Sequence, residues 1–265
     1  MKLRACLLGC AFLFCTGAYA GQDCQQKVLA PEALREAALS AQALRAELER
    51  QAQPLAIVAR VGQDLRSRGL VYSHAGLVVR DHPQGRWSVL HLLNECGSER
   101  GSLNLEGLVN FFADQPFAYQ AKVIWLAPEY QTRLLARLHD GTAQAVFEPR
   151  YSVIARVASR RRQNSTGWLL EMLGAGLRSG KVDRRVAQLE LAARDYQADV
   201  VQISYSKRLV GGLFQANADF LDHPLSARLS GNYQVSTVRS IFRFLQQQDL
   251  VVASAVIRDA GLRGD

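Results

Sequence analysis

After its first twenty residues the sequence has no apolar run approaching the roughly 18 residues of a membrane span, so no transmembrane segment is expected beyond a leader. It has no paired cysteine or histidine spacing of the zinc-binding kind, and no metal or cofactor is expected. It lacks internal repeats, low-complexity tracts and an obvious linker, which excludes solenoids and argues for one large domain. Cysteine is nearly missing too: of five, Cys6, Cys10 and Cys15 fall within those first twenty residues. Basic residues are scattered apart from Arg160, Arg161 and Arg162, so the positive balance reads as a solvated face and no nucleic-acid partner is expected.

What is present begins with a leader. Lys2 and Arg4, an apolar stretch over 7–14 and the Ala18-Tyr19-Ala20 cleavage pattern describe a secretory signal peptide over 1–20, cut near Ala20. The expected product is a periplasmic or secreted chain, 21–265, forming one domain behind an N-terminal helical extension. Its net charge is about +6, because the leader takes two of the 32 basic residues and none of the acidic ones. Cys24 and Cys96 survive cleavage, and in an oxidising compartment the simplest expectation is one disulfide between them. A nucleophilic Cys96 is the rival, weakened by the loop-like Gly97-Ser98-Glu99 that follows, which offers no helix start to lower the thiol pKa.

Helical periodicity over 31–51, opened by Pro31, predicts a long helix. The run 55–61 reads as a buried strand. Two β-rich runs, starting at Tyr72 and Trp87 and joined by a turn at 81–85, read as an antiparallel hairpin. Helices are expected over 103–113 and 128–139, strands over 117–126 and 151–157. Asn164, Ser165 and Thr166 are capping residues ahead of the apolar Trp168-Leu169-Leu170, so a helix is expected to start there. Another helix follows over 182–196, then strand-like pieces at 199–203 and 207–214, a loop carrying Asp219, Asp222 and His223, and a closing strand, helix and strand through Ile257.

The hairpin holds the most suggestive chemistry. Residues equidistant from a turn oppose one another, so His74 on one strand and His91 on the other can meet across the ladder. A histidine backed by a second polar ring fits a general base with its orienting group, and Ser165 at a helix start is the nucleophile candidate. The plainer alternative is that Asn164 or Ser165 caps the helix and does nothing else. Asp219, Asp222 and His223 offer oxygen and nitrogen ligands, although such loop clusters more often cap turns.

A strand opening Ser73-His74-Ala75-Gly76-Leu77-Val78-Val79, a polar residue on the next strand and a later Asn164-Ser165 helix start resemble the circularly permuted NlpC-type papain-like hydrolases. That resemblance implies an α+β fold with a central antiparallel sheet packed against helices. It implies His74 as base, His91 as the orienting residue and Ser165 at the family's cysteine position, with Gln63, Gln163 or Asn164 as oxyanion or positioning groups. The substitution of serine for cysteine departs from the pattern.

A second resemblance covers nearly the whole mature chain. Arg60-Val61-Gly62-Gln63-Asp64-Leu65, Tyr72-Ser73-His74-Ala75-Gly76, His91 to Gly97, Gln163-Asn164-Ser165 with Trp168 and Glu171, and Asp222-His223-Pro224 are similar to a secreted bacterial family known as domain of unknown function 2145. Two function classes follow. One is an envelope hydrolase or acyltransferase acting on an amide or ester, in peptidoglycan peptide or lipid, through a Ser/His/His site. The other is an inactive papain-like fold that binds envelope polymer or protein.

Overall fold

The computed structural model describes residues 28–114, 116–207 and 217–258. The expected leader with its cleavage site, and Cys24, lie outside the described residues. A six-stranded antiparallel sheet runs in the order β4-β3-β2-β1-β5-β8. Its strands are β1 Leu55–Val61, β2 His74–His82, β3 Gly85–Asn94, β4 Gly101–Glu106, β5 Ala118–Leu126 and β8 Val251–Ile257. With helices on both faces, the fold is mixed α+β.

Strand alternation sorts the side chains between two cores. On one face Leu55, Ile57, Ala59, Ala75, Leu77, Val79 and Leu92 pack against α3 Pro128–His139, α5 Ser165–Gly176, α6 Arg184–Ala193 and α8 Val238–Gln247. On the other, Ala56, Val58, Val78, Val89, Val123 and Trp125 pack against α1 Pro31–Glu49 and α2 Leu108–Ala113. Buried on both sides, β1 is apolar except for Arg60. The short strands β6 Asp199–Gln202 and β7 Asn232–Val235 form a separate ribbon; α7 Leu225–Ser230 packs beside β7, and α4 Thr142–Ala145 lies against α3 and α5.

Two expected elements differ, and a third lies almost wholly outside the described residues. The helix over 103–113 is instead β4 followed by the short α2, because Leu103 and Leu105 alternate with Ser102, Asn104 and Glu106 along an edge strand. The strand over 151–157 is reduced to isolated bridges at Tyr151 and Arg156 within turns. Of the piece at 207–214, residues 208–214 lie outside the described residues. No described helix is long and apolar enough to cross a membrane.

Cys96 lies just beyond β3, in the turn closed by the Ser98 N–H donating to the Glu95 carbonyl. Its proposed partnership with Cys24 has a direct check. A denaturing thiol assay of the mature protein should find no free thiol, and reduction should lower stability by up to about 4 kcal/mol, the loop-entropy value for a bridge closing about seventy residues. Two free thiols would overturn the bridge.

Candidate functional site

His74 and His91 do meet: His74 Nε2 lies 2.7 Å from His91 Nδ1, with ring centroids 5.0 Å apart. Their contact depends on the glycine between them. Val78 pairs with Val89, and the same register sets Gly76 against His91, where a Cβ would come within 2.9 Å of the His91 Cβ. With no side chain at 76, the His74 ring can lean diagonally onto His91.

The pair faces α2. Phe111 packs against both rings, at 6.1 and 5.7 Å between centroids. His91 is fully buried. On β4, Glu106 Oε2 stands 3.2 Å from His91 Nε2, out of line for a hydrogen bond in this arrangement. Beside His74, its cross-strand partner Arg60 extends into the same layer, stacks over Phe111 at 5.0 Å and forks onto both carboxylate oxygens of Asp114. His74 is held neutral: burial, then the Arg60 guanidinium, then His91, keep its pKa well below the ordinary histidine value.

A small turn of the Glu106 carboxylate into line with His91 Nε2 would fix the protons of this row. If Glu106 is to accept from His91, the proton sits on His91 Nε2, and His91 Nδ1 must then accept from His74 Nε2–H. That leaves the lone pair of His74 on Nδ1, at the partly exposed end of the row. Carboxylate, orienting imidazole and basic imidazole stand in the order that a general base requires.

Ser165 is not part of this arrangement. It opens α5, which packs on the opposite face of the sheet from α2, so β2 and β3 stand between it and the two rings. Ser165 is buried and its side chain and backbone engage the Tyr151 hydroxyl, whose pKa is pushed up to about 12, burial outweighing that contact. The physical reason is alternation: His74 points one way from β2, while Ala75, Leu77 and Val79 point towards α5.

The other expected positioning residues are equally occupied elsewhere. Asn164 is the cap of α5, its Oδ1 accepting from Gly167 N–H at 2.7 Å and its Nδ2 donating to the Val153 carbonyl. Gln163 is almost fully buried, and its amide accepts from Glu148 N–H while donating to the Val146 carbonyl and to Glu171. It has no donor left for an oxyanion. Gln63 is exposed in the turn after β1, with its backbone N–H on Ser73 Oγ.

Asp219 and Asp222 serve turns: Asp222 accepts from Ser159 Oγ and Arg156 N–H, Asp219 from Leu221 N–H and the Arg162 guanidinium. His223 contacts the Ile154 carbonyl and packs edge-on against Tyr233. Among the described residues, no group of three or more His, Cys, Asp or Glu is placed to hold a metal ion.

The family model for "Uncharacterized protein conserved in bacteria (DUF2145)" matches residues 47–245, well over half of the chain and every residue of this row. The chain belongs to the DUF2145 family. No curated protein and no solved structure matches it. Within this DUF2145 chain the residues that sequence reasoning missed are Glu106, Arg60, Asp114 and Phe111. Two signals were there to find: a lone arginine inside an otherwise apolar strand, and the alternation Ser102, Asn104, Glu106.

Proposed function

We propose that this is an exported envelope protein of permuted papain-like ancestry that hydrolyses, or transfers the acyl group of, an amide or ester, with His74 as general base. The observation that carries the reading is the row Glu106, His91, His74, with the half-buried His74 at its end. In the hydrolytic step, His74 Nδ1 takes a proton from water as the oxygen attacks the carbonyl. The tetrahedral intermediate then collapses, and the leaving nitrogen or oxygen takes that proton back from the imidazolium. Glu106, acting through His91, stabilises the transient positive charge and makes both histidines positioning and basic groups of one unit. Positioned bases of this kind are worth roughly 10²–10⁴-fold in rate.

The test uses the mature protein with p-nitrophenyl esters and with peptidoglycan stem peptides. Turnover should fall about 10²-fold or more in His74→Ala and Glu106→Gln and stay unchanged in Ser165→Ala, and a fluorophosphonate probe should not label Ser165. Loss of turnover in Ser165→Ala, or labelling of Ser165, would sink this assignment.

One observation favours the binding-module reading: among the described residues, no serine or threonine side chain is hydrogen-bonded to either histidine of the pair, whose ring-nitrogen contact is with each other. Absence of turnover by well-folded wild-type protein would support that reading instead.

A further inference from the structure

We infer that Arg60, beside His74, forms a subsite for a carboxylate on the substrate, and that Asp114 occupies this subsite when substrate is absent. The inference rests on His74 acting at the reacting bond, as proposed above, and deepens it by naming the substrate class.

Arg60 is an unexpected residue for its place. It is 4% exposed in the middle layer of the protein, on a strand whose every other residue is buried and apolar. A guanidinium so placed is costly unless an anion meets it in good geometry. The fold supplies a firm seat, since Phe111 lies under the guanidinium and the β1–β2 ladder fixes the backbone on either side. The anion it supplies is held less firmly. Asp114 follows the last residue of α2, its side chain is 52% exposed, and it reaches Arg60 through both carboxylate oxygens. One side of the pair is therefore built into the sheet while the other arrives from a surface turn. Arg60 Nε is also buried without a partner, so the guanidinium retains a donor that Asp114 does not satisfy.

The position of the seat decides what it could select. Arg60 and His74 are direct antiparallel partners. Side chains of such partners begin about 5 Å apart, so an anion on Arg60 lies about one residue from a carbonyl within reach of His74. An amide or ester whose leaving group carries a free carboxylate fits both ends: the C-terminal residue of a peptide is the simplest case. Planar fork geometry makes Arg60 selective for carboxylate over a neutral carboxamide. Asp114 presents the same chemical group from within the chain and competes with the substrate for the same two donors. A competitor that fills the subsite most of the time lowers apparent affinity by the fraction of time the subsite is free.

Imidazole NMR signals of His74 in the mature protein report occupancy without requiring turnover. N-acetylalanine is titrated as the carboxylate probe and N-acetylalaninamide as its neutral counterpart. Asp114→Ala should bind N-acetylalanine at least about ten-fold more tightly than wild type, with no response to the amide. Adding Arg60→Lys to Asp114→Ala should remove that gain. If Asp114→Ala proves unstable, Asp114→Asn keeps the charge off the subsite and should show the same direction. Equal affinity in wild type and the Asp114 variants, or equal binding of acid and amide, overturns the inference. Carboxylate binding in a protein that hydrolyses nothing would remove the hydrolase reading and leave the subsite standing, whereas hydrolysis indifferent to the carboxylate would do the reverse.

Discussion

Replacing Arg184 by alanine is expected to destabilise the protein by about 3–5 kcal/mol at neutral pH, because it strands a carboxylate in the core. Glu171 projects from the middle of α5, is 4% exposed, and is held by Arg184 Nε at 2.8 Å, Gln188 Nε2 at 2.7 Å and Gln163 Nε2 at 2.5 Å. Even so, burial outweighs these partners and raises its pKa from the ordinary 4.5 to about 6. A raised carboxyl pKa means that the folded state holds the proton more tightly than the unfolded chain. The associated stability is fully present below about pH 4.5 and is lost as pH rises through 6, by about 2 kcal/mol in the wild type. Without Arg184 the charged form has lost the cation hydrogen-bonded to it, so the drop across the same window steepens. Thermal melts of wild type and Arg184→Ala at pH 4.5 and pH 7 check this. The difference should be small at the lower pH and lower the melting temperature by roughly ten degrees at the higher one. An equal loss at both would mean that Glu171 does not carry its charge in the folded protein.

The second large effect is expected from adding one methyl group. In Gly76→Ala the new Cβ would lie 2.8 Å from the Leu90 carbonyl oxygen, 2.8 Å from Val89 Cγ1 and 2.9 Å from His91 Cβ. All three belong to β3 and one is backbone, so relief requires β2 and β3 to move apart. Overpacking of this kind costs about 1–3 kcal/mol, and several degrees of melting temperature follow. The separation would also break the His74–His91 contact, so the imidazole resonances should change even where the protein remains folded. Gly107→Ala, with nothing within 4 Å of its Cβ, is the control and should leave both readouts unaltered. Unchanged stability in Gly76→Ala would show that the strand register differs from the one described.

The histidine pair and the start of α5 were legible in the sequence for local reasons. A turn at Pro83-Gln84 puts residues to either side of it on one face, and Asn164 ahead of an apolar run has the chemistry of a cap. The relation between them was not legible. Period-two alternation shows that His74 and Gly76 share a face and Ala75 and Leu77 share the other, but it does not say which of the two a helix ninety residues later will cover. The β4 strand was lost because its alternation ran into the apolar residues of α2, and Glu106 was lost with it. Gln163 looked available because its partners come from two other places in the chain, Val146 and Glu148 in one turn and Glu171 on α5. Arg60 carried a readable warning, since charge inside a fully buried strand needs a partner, although the sequence could not say that Asp114 provides it.

The matched family region and the folded unit do not share boundaries. Residues 47–245 omit β8 and nearly all of α1. β8 is paired along β5 from Ala121 to Leu126, and Ala37, Ala41 and Leu44 of α1 cover the layer that contains Val123 and Trp125. A recombinant fragment cut at the family limits would therefore bare the backbone of β5 along one whole side and uncover the apolar residues beneath it. An unprotected, flat and hydrophobic margin is a template for pairing between chains. Such a fragment would assemble into aggregates, and low solubility on its part would report where it was cut.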